Sequence, residues 1–190
     1  MSQNKEATQF LHRLSKLPGG PLDPVLQPSL DDEAELRKLF ATDKDNVRLS
    51  DIHVGLVDVF AAPQTIRTIR GRFVKDDDDL IAKHIMALPE SRRRKEGSPA
   101  MVNDLVDFNY NWSIFTENSL QLLDWSNVVA AGGSVQACLA PLPEEAKASR
   151  KTMKKHFHDS AYTTSDVDLF LWGMTPEEVR LDKAIPSVLY

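Results

Sequence analysis

The sequence predicts an α+β fold, a small mixed β-sheet packed with a largely helical N-terminal part, and three observations lead there. Asn127–Ala131 (NVVAA) is short and apolar and stops at Gly132-Gly133, as a buried strand would. Val167, Leu169 and Leu171 alternate with Asp166, Asp168, Phe170 and Trp172, the period of two that marks a second strand. Elsewhere large apolar side chains return every three or four residues, the spacing of helices that bury one face. With 42% hydrophobic and 27% charged residues among 190, the chain has the make-up of a globular protein rather than a disordered one.

Composition also narrows the functions. No stretch approaches the roughly 20 apolar residues that cross a bilayer, and Met1–Leu17 is polar with scattered charges rather than basic and then apolar. Neither secretion nor a membrane span is expected. Cys138, the sole cysteine, can form no intramolecular disulfide, and an intracellular setting, cytoplasmic or nuclear, is the expectation. In VQACLA its thiol lies on an apolar helix face, so it reads as a packed core group rather than a reactive one. The formal charge of −5, from 23 Lys+Arg against 28 Asp+Glu, gives no general attraction to nucleic acid; an anion site needs local clustering.

In chain order, Phe10, Leu11, Leu14 and Leu17 have helical spacing, and LPGGPLDPVLQPSL then breaks the period with four prolines and two glycines. Residues 1–30 are expected as a flexible arm or linker and 31–190 as one α+β domain. SLDDEAELRKLFAT reads as a helix, with Ser29 or Asp31 as cap and Leu36, Leu39 and Phe40 on one face. The β-branched stretch HVGLVDVFAAPQTIRTIRGRFV predicts at least one strand. Asp76–Asp79 reads as a solvated turn or the first turn of a helix DLIAKHIMAL, because crowded carboxylates repel unless an ion holds them. Arg92–Lys95 forms a basic loop, read as solvated or acid-paired ahead of a phosphate contact or a localisation signal. Leu105, Phe108, Trp112, Phe115, Leu120, Leu123 and Trp125 recur at helical intervals. This aromatic stripe reads as core, because a base-stacking platform needs basic neighbours and the segment has none.

Two stretches carry candidate chemistry. After the strand Asn127–Ala131, Gly132-Gly133 supply a turn open to conformations closed to other residues, and Ser134 begins a helix with Val135, Cys138 and Leu139 inward. Free N–H groups at such a helix start attract anions, and the Ser134 hydroxyl can cap the helix or touch a phosphate. Junctions of this kind also arise for packing alone. Asp166 and Asp168 project from one face of their strand with Cα atoms roughly 7 Å apart. Two carboxylates so placed can share hard cations such as Mg²⁺, which neutralise a triphosphate. In isolation the same pair reads first as a strand edge with two solvated acids.

Together and in this order, the two motifs resemble the nucleotidyltransferase superfamily that includes polymerase β, poly(A) polymerases and CCA-adding enzymes. The family signature is a hydrophobic residue, Gly-Gly or Gly-Ser opening a helix, then an Asp-hydrophobic-Asp-hydrophobic strand. Ala131-Gly132-Gly133-Ser134 and Asp166-Val167-Asp168-Leu169 match it, and VVAAGGSVQACL is similar to the strand-turn-helix that opens the CCA-adding members. The resemblance implies a nucleotidyltransferase-like strand-GGS-helix-strand unit within a core at 127–190. It also implies nucleotide phosphates at Gly132, Gly133 and Ser134, two Mg²⁺ ions on Asp166 and Asp168, and transfer of a nucleoside monophosphate from NTP to a hydroxyl acceptor, RNA or protein. The segment SDVDLFLWG is also similar to parts of uncharacterised fungal proteins, which implies no function by itself.

The resemblance spans Asn127–Trp172 and departs from the family twice. Ser134 and Asp166 lie farther apart than is usual there, and the excess, PLPEEAKASRKTMKKHFHDSAYTT, reads as an inserted helix starting at Pro143. Lys147, Arg150 or Lys151, Lys154 and His158 fall on one side of it; that face either guides a triphosphate or RNA backbone, with Lys151 and Lys154 as electrostatic helpers, or is simply solvated. The family also uses a third carboxylate on a later strand, which assists the base that deprotonates the attacking hydroxyl. After Trp172 the sequence offers Thr175-Pro176-Glu177-Glu178, a helix start, and Asp182 within that helix. Asp58, in GLVDVF, supplies the ligand only through an unusual strand order. Either the sequence is a piece of a longer enzyme, or the domain binds without catalysing, as an interaction module using the Met101–Trp125 surface or the basic helix. His156 and His158 diverge on a helix and read as surface residues, and no serine has the setting of a catalytic nucleophile.

Overall fold

The computed structural model describes residues 5–17, 21–70, 94–164 and 166–177. Asp76–Asp79, Arg92, Arg93, Glu178 and Asp182, each singled out above, lie outside the described residues. The chain is mixed α and β and divides into two compact units, Met1–Ala100 and Met101–Tyr190.

In the first unit α1 (Lys5–Ser15) pairs with α2 (Asp23–Thr42). Ala7 and Val25 are buried, and Arg13 Nη2 donates to Ser29 Oγ at 3.0 Å. The proline-rich stretch expected as linker is thus helical from Asp23 onward. Pro24 stands in the first turn, where its missing N–H removes no helical bond, so the helix starts ahead of the caps expected at Ser29 and Asp31. Of the stretch HVGLVDVFAAPQTIRTIRGRFV, expected to hold at least one strand, residues 53–67 form turns and a short 3-10 helix (Gln64–Ile66), and residues 71–74 lie outside the described residues; Asp58 accepts from the backbone N–H groups of Phe60 and Ala61 at 2.9 and 3.2 Å. That turn, not a strand, is where Asp58 sits. Extended pairing here is limited, among the described residues, to the antiparallel bridge Thr68↔Pro99. β-branched composition makes no strand without a partner to pair with.

The second unit runs α3 (Leu105–Phe115), β1 (Val128–Ala131), α4 (Gly133–Leu139), α5 (Glu144–Lys147), α6 (Arg150–Lys155), a π-helical turn (His156–Ala161) and β2 (Asp168–Leu171). The expected mixed sheet is a two-stranded antiparallel one, with Val128↔Leu171, Val129↔Phe170, Ala130↔Leu169 and Ala131↔Asp168 in register. The core gathers Ile114 and Phe115 of α3, Ala137 and Cys138 of α4, and Met153 and Phe157 beyond. Phe115 and Phe157 meet edge to face, centroids 5.5 Å apart. Buried Asn111 donates from Nδ2 to the Cys138 carbonyl at 2.9 Å, satisfying one of the acceptors that a helix end leaves open.

Three expectations need correction. The buried stripe of α4 is Ser134, Ala137 and Cys138, at i, i+3 and i+4, while Val135 and Leu139 are half-buried. The aromatic stripe buries Phe115 and Leu120 but leaves Leu105, in the first turn of α3, and Trp125 exposed; Trp125 lies beyond the helix, which ends at Phe115 before Glu117 and Asn118 turn the chain through positive φ. The inserted helix is broken at Ala148–Ser149 into α5 and α6. Ser149 recaps the chain there, its Oγ accepting from Thr152 N while Thr152 Oγ1 accepts from Ser149 N. Among the described residues no helix is long and apolar enough to cross a membrane.

Candidate functional site

The register fixes the site. Ala131 pairs with Asp168, so the chain leaving β1 passes beneath the Asp168 side chain as it enters α4. Gly132 makes that passage at φ +81°, ψ −152°, a backbone region essentially reserved for glycine. A Cβ at Gly132 would stand 2.7 Å from Asp168 Oδ2. The carboxylate therefore lies directly against the glycine hinge, and the two sequence motifs, more than thirty positions apart, meet through backbone pairing.

Directly opposed residues of an antiparallel pair share a face. Val129, Ala131, Asp168 and Phe170 are on one side, and Val129 and Phe170 are about half-exposed there. Val167, of opposite parity, packs against the core. Asp166 precedes β2 by two residues and is exposed, as Asp168 is. Among the described residues neither carboxylate is in an ion pair or accepts a hydrogen bond. Both are available as hard oxygen donors. Among the described residues no three His, Cys, Asp or Glu side chains converge as a ligand set. The strand expected from Asp166 to Trp172 begins only at Asp168, so the β2 register places Asp168 against the hinge and leaves Asp166 in the loop before it.

The other candidate residues are placed differently. Ser134 neither caps α4 nor reaches solvent: it is fully buried, and Oγ has no hydrogen-bond partner. The burial covers the whole residue, so neither the hydroxyl nor the backbone N–H of Ser134 meets solvent, and the exposed part of the turn is Gly132-Gly133. Lys151 is exposed on α6. Lys154 Nζ lies 2.5 Å from Glu117 Oε2, His158 Nε2 lies 3.8 Å from Glu117 Oε1, and Lys147 bonds Glu144 at 2.7 Å. The hydrogen bond from Lys154, then its charge, holds the Glu117 carboxyl below the usual carboxylate range. The basic face is thus largely engaged by acids of its own unit. Glu117 went unnoticed in the sequence, since nothing local links it to Lys154.

Asn127 was also missed as more than a strand end. At φ +59° it enters the left-handed region that asparagine tolerates, donates from Nδ2 to the Trp172 carbonyl at 3.0 Å, and accepts from Trp172 N at 3.0 Å. It closes the strand pair at the end opposite Gly132. In comparisons with protein-family models, curated proteins and solved structures, none matches the chain.

Proposed function

We propose that the second unit is a Mg²⁺-dependent nucleotidyltransferase-like domain that binds NTP and, when active, transfers its nucleoside monophosphate to a hydroxyl acceptor on RNA or protein. One observation carries the reading: the Asp168 carboxylate rests on Gly132, so an acid and a side-chain-free backbone segment share one solvent-facing spot. Asp166 and Asp168 would hold Mg²⁺, which would neutralise triphosphate charge and polarise the phosphorus. Gly132 and Gly133, both exposed, let phosphate oxygens approach the main chain, and Ser134 would have to come out of the core to add a contact. Lys151 stands as the basic helper, whereas Lys154 must first release Glu117.

A second reading has its own support. Leu105, Val106 and Tyr110 of α3 are 54%, 75% and 50% exposed, an apolar surface suited to a partner, and an interaction module needs no third carboxylate. The two readings separate by experiment. Mg²⁺ with NTP should raise the melting temperature once ligand exceeds its dissociation constant, and Asp166→Asn with Asp168→Asn should abolish the rise. Labelled NTP incubated with acceptors should give a transferred label lost in the same double variant. No rise, or an equal rise in the double variant, removes the nucleotide site; a rise without transfer leaves a binding domain.

A further inference from the structure

The second unit holds a cavity of about 630 Å³ on the side of β1 opposite Asp168, walled by Phe108, Trp112, Trp125, Ala130 and Val135. Phe108 and Trp112 are stacked with centroids 6.1 Å apart, and Trp125 meets Trp112 edge-on at 6.2 Å. No acidic, basic or histidine side chain lines it; its polar rim includes the carboxamides of Asn109, Asn118 and Gln121. All three are exposed, and among the described residues none of those carboxamides makes a hydrogen bond. The arrangement offers aromatic faces for a flat ring and amide donors and acceptors for its edge, and nothing for a charge.

We propose that this cavity holds a nucleobase, stacked on the face of one indole, Trp125, and met at its edge by the other, Trp112, whose plane is inclined 62° to it, with its polar edge toward the carboxamides. Carboxamides pair with base edges through donor and acceptor together, and each aromatic face tolerates any base; a single uncharged base brings no phosphate backbone along the stripe, so the basic neighbours that a nucleic-acid strand needs there are not required. The cavity adjoins the hinge: Ala130 and Val135, both in its wall, flank Gly132–Ser134, and two residues span no more than about 7 Å. The choice of a nucleoside over another uncharged heterocycle rests on the nucleotide reading above; the cavity itself does not. Its base belongs either to the nucleotide held at Asp168 or to a separate nucleoside.

The test follows indole N–H resonances of Trp112 and Trp125, with Trp172 as internal control, while the whole chain is titrated with each of the four ribonucleosides and, separately, with each NTP and Mg²⁺. Saturable shifts at Trp112 and Trp125, with Trp172 unmoved, are expected from at least one ligand. Trp125→Ala should weaken that binding about tenfold or more, read at Trp112. Gln121→Leu, at an exposed position, should weaken it too and serves if Trp125→Ala fails to fold. A shift with NTP that disappears in Asp166→Asn/Asp168→Asn assigns the base to the metal-bound nucleotide, and a nucleoside shift that survives assigns a separate site. Unmoved indoles in all titrations, shifts indifferent to both cavity variants, or a response to indole alone overturn the proposal. If Mg²⁺ and NTP still raise the melting temperature in that case, the nucleotide reading stands and the base lies elsewhere.

Discussion

Gly132 and Asp168 show how one residue's conformation sets the site. The sequence made the glycine turn and the Asp-x-Asp alternation legible, because both are local patterns, but their meeting depends on an antiparallel register no local pattern reports. Gly132→Ala should place a methyl where the carboxylate is and force a glycine-only conformation, costing roughly 1–3 kcal/mol and displacing Asp168; chemical denaturation reads the first effect and Mg·NTP titration the second. Ser134 was legible as a helix start and misread as a cap, since the period of α4 turns it inward with Ala137 and Cys138. Removing its unpartnered buried hydroxyl in Ser134→Ala should leave stability unchanged or raise it by up to about 1 kcal/mol, with NTP affinity unaltered by calorimetry. Cys138 was read correctly from its apolar neighbours. Burial pushes its thiol from the ordinary 9.0 up to about 12. Above about pH 9 the unfolded chain has lost a proton that the native chain keeps, so ionisation favours unfolding and this contribution to stability falls as pH rises toward 12. Urea melts across that range, compared with Cys138→Ala, check the sign, and a thiol reagent at neutral pH should label the chain only once it is unfolded.

The elements follow the same division between local and distant causes. Helices with a strong apolar period were found, while their ends were misplaced wherever capping competed with composition. The segment 143–161 has continuous helical propensity, yet Ser149 and Thr152 cap each other and start a new helix, so the basic face expected along it is not one stripe. Ser149→Ala should cost about 1 kcal/mol, lowering the melting temperature by roughly 2–4 °C for a chain of this size. The loop that ends α3 was illegible for a different reason: Glu117 and Asn118 both adopt positive φ, and the ion pairs of Glu117 reach Lys154 and His158 on distant elements. The Lys154 pair is exposed and contributes little to stability, but it occupies a cation that a phosphate would otherwise meet.

At the scale of the molecule, the sequence led to α and β elements in one chain and to the places of β1 and β2, though not to the start of β2, and it left the division at Ala100 and Met101 unseen. A two-stranded sheet is marginal by itself; here β1 and β2 gain support on one face, where Val167 packs against the core, while the other face presents Asp168 and Phe170 to solvent. That asymmetry makes the strand pair a platform. The most direct measurement replaces Mg²⁺ with paramagnetic Mn²⁺ at substoichiometric levels, with NTP present, and follows backbone amide line widths. The account predicts selective broadening at Gly132, Gly133 and Asp168 that Asp168→Asn removes. Broadening elsewhere in the chain, or at these residues with equal strength in Asp168→Asn, would contradict it.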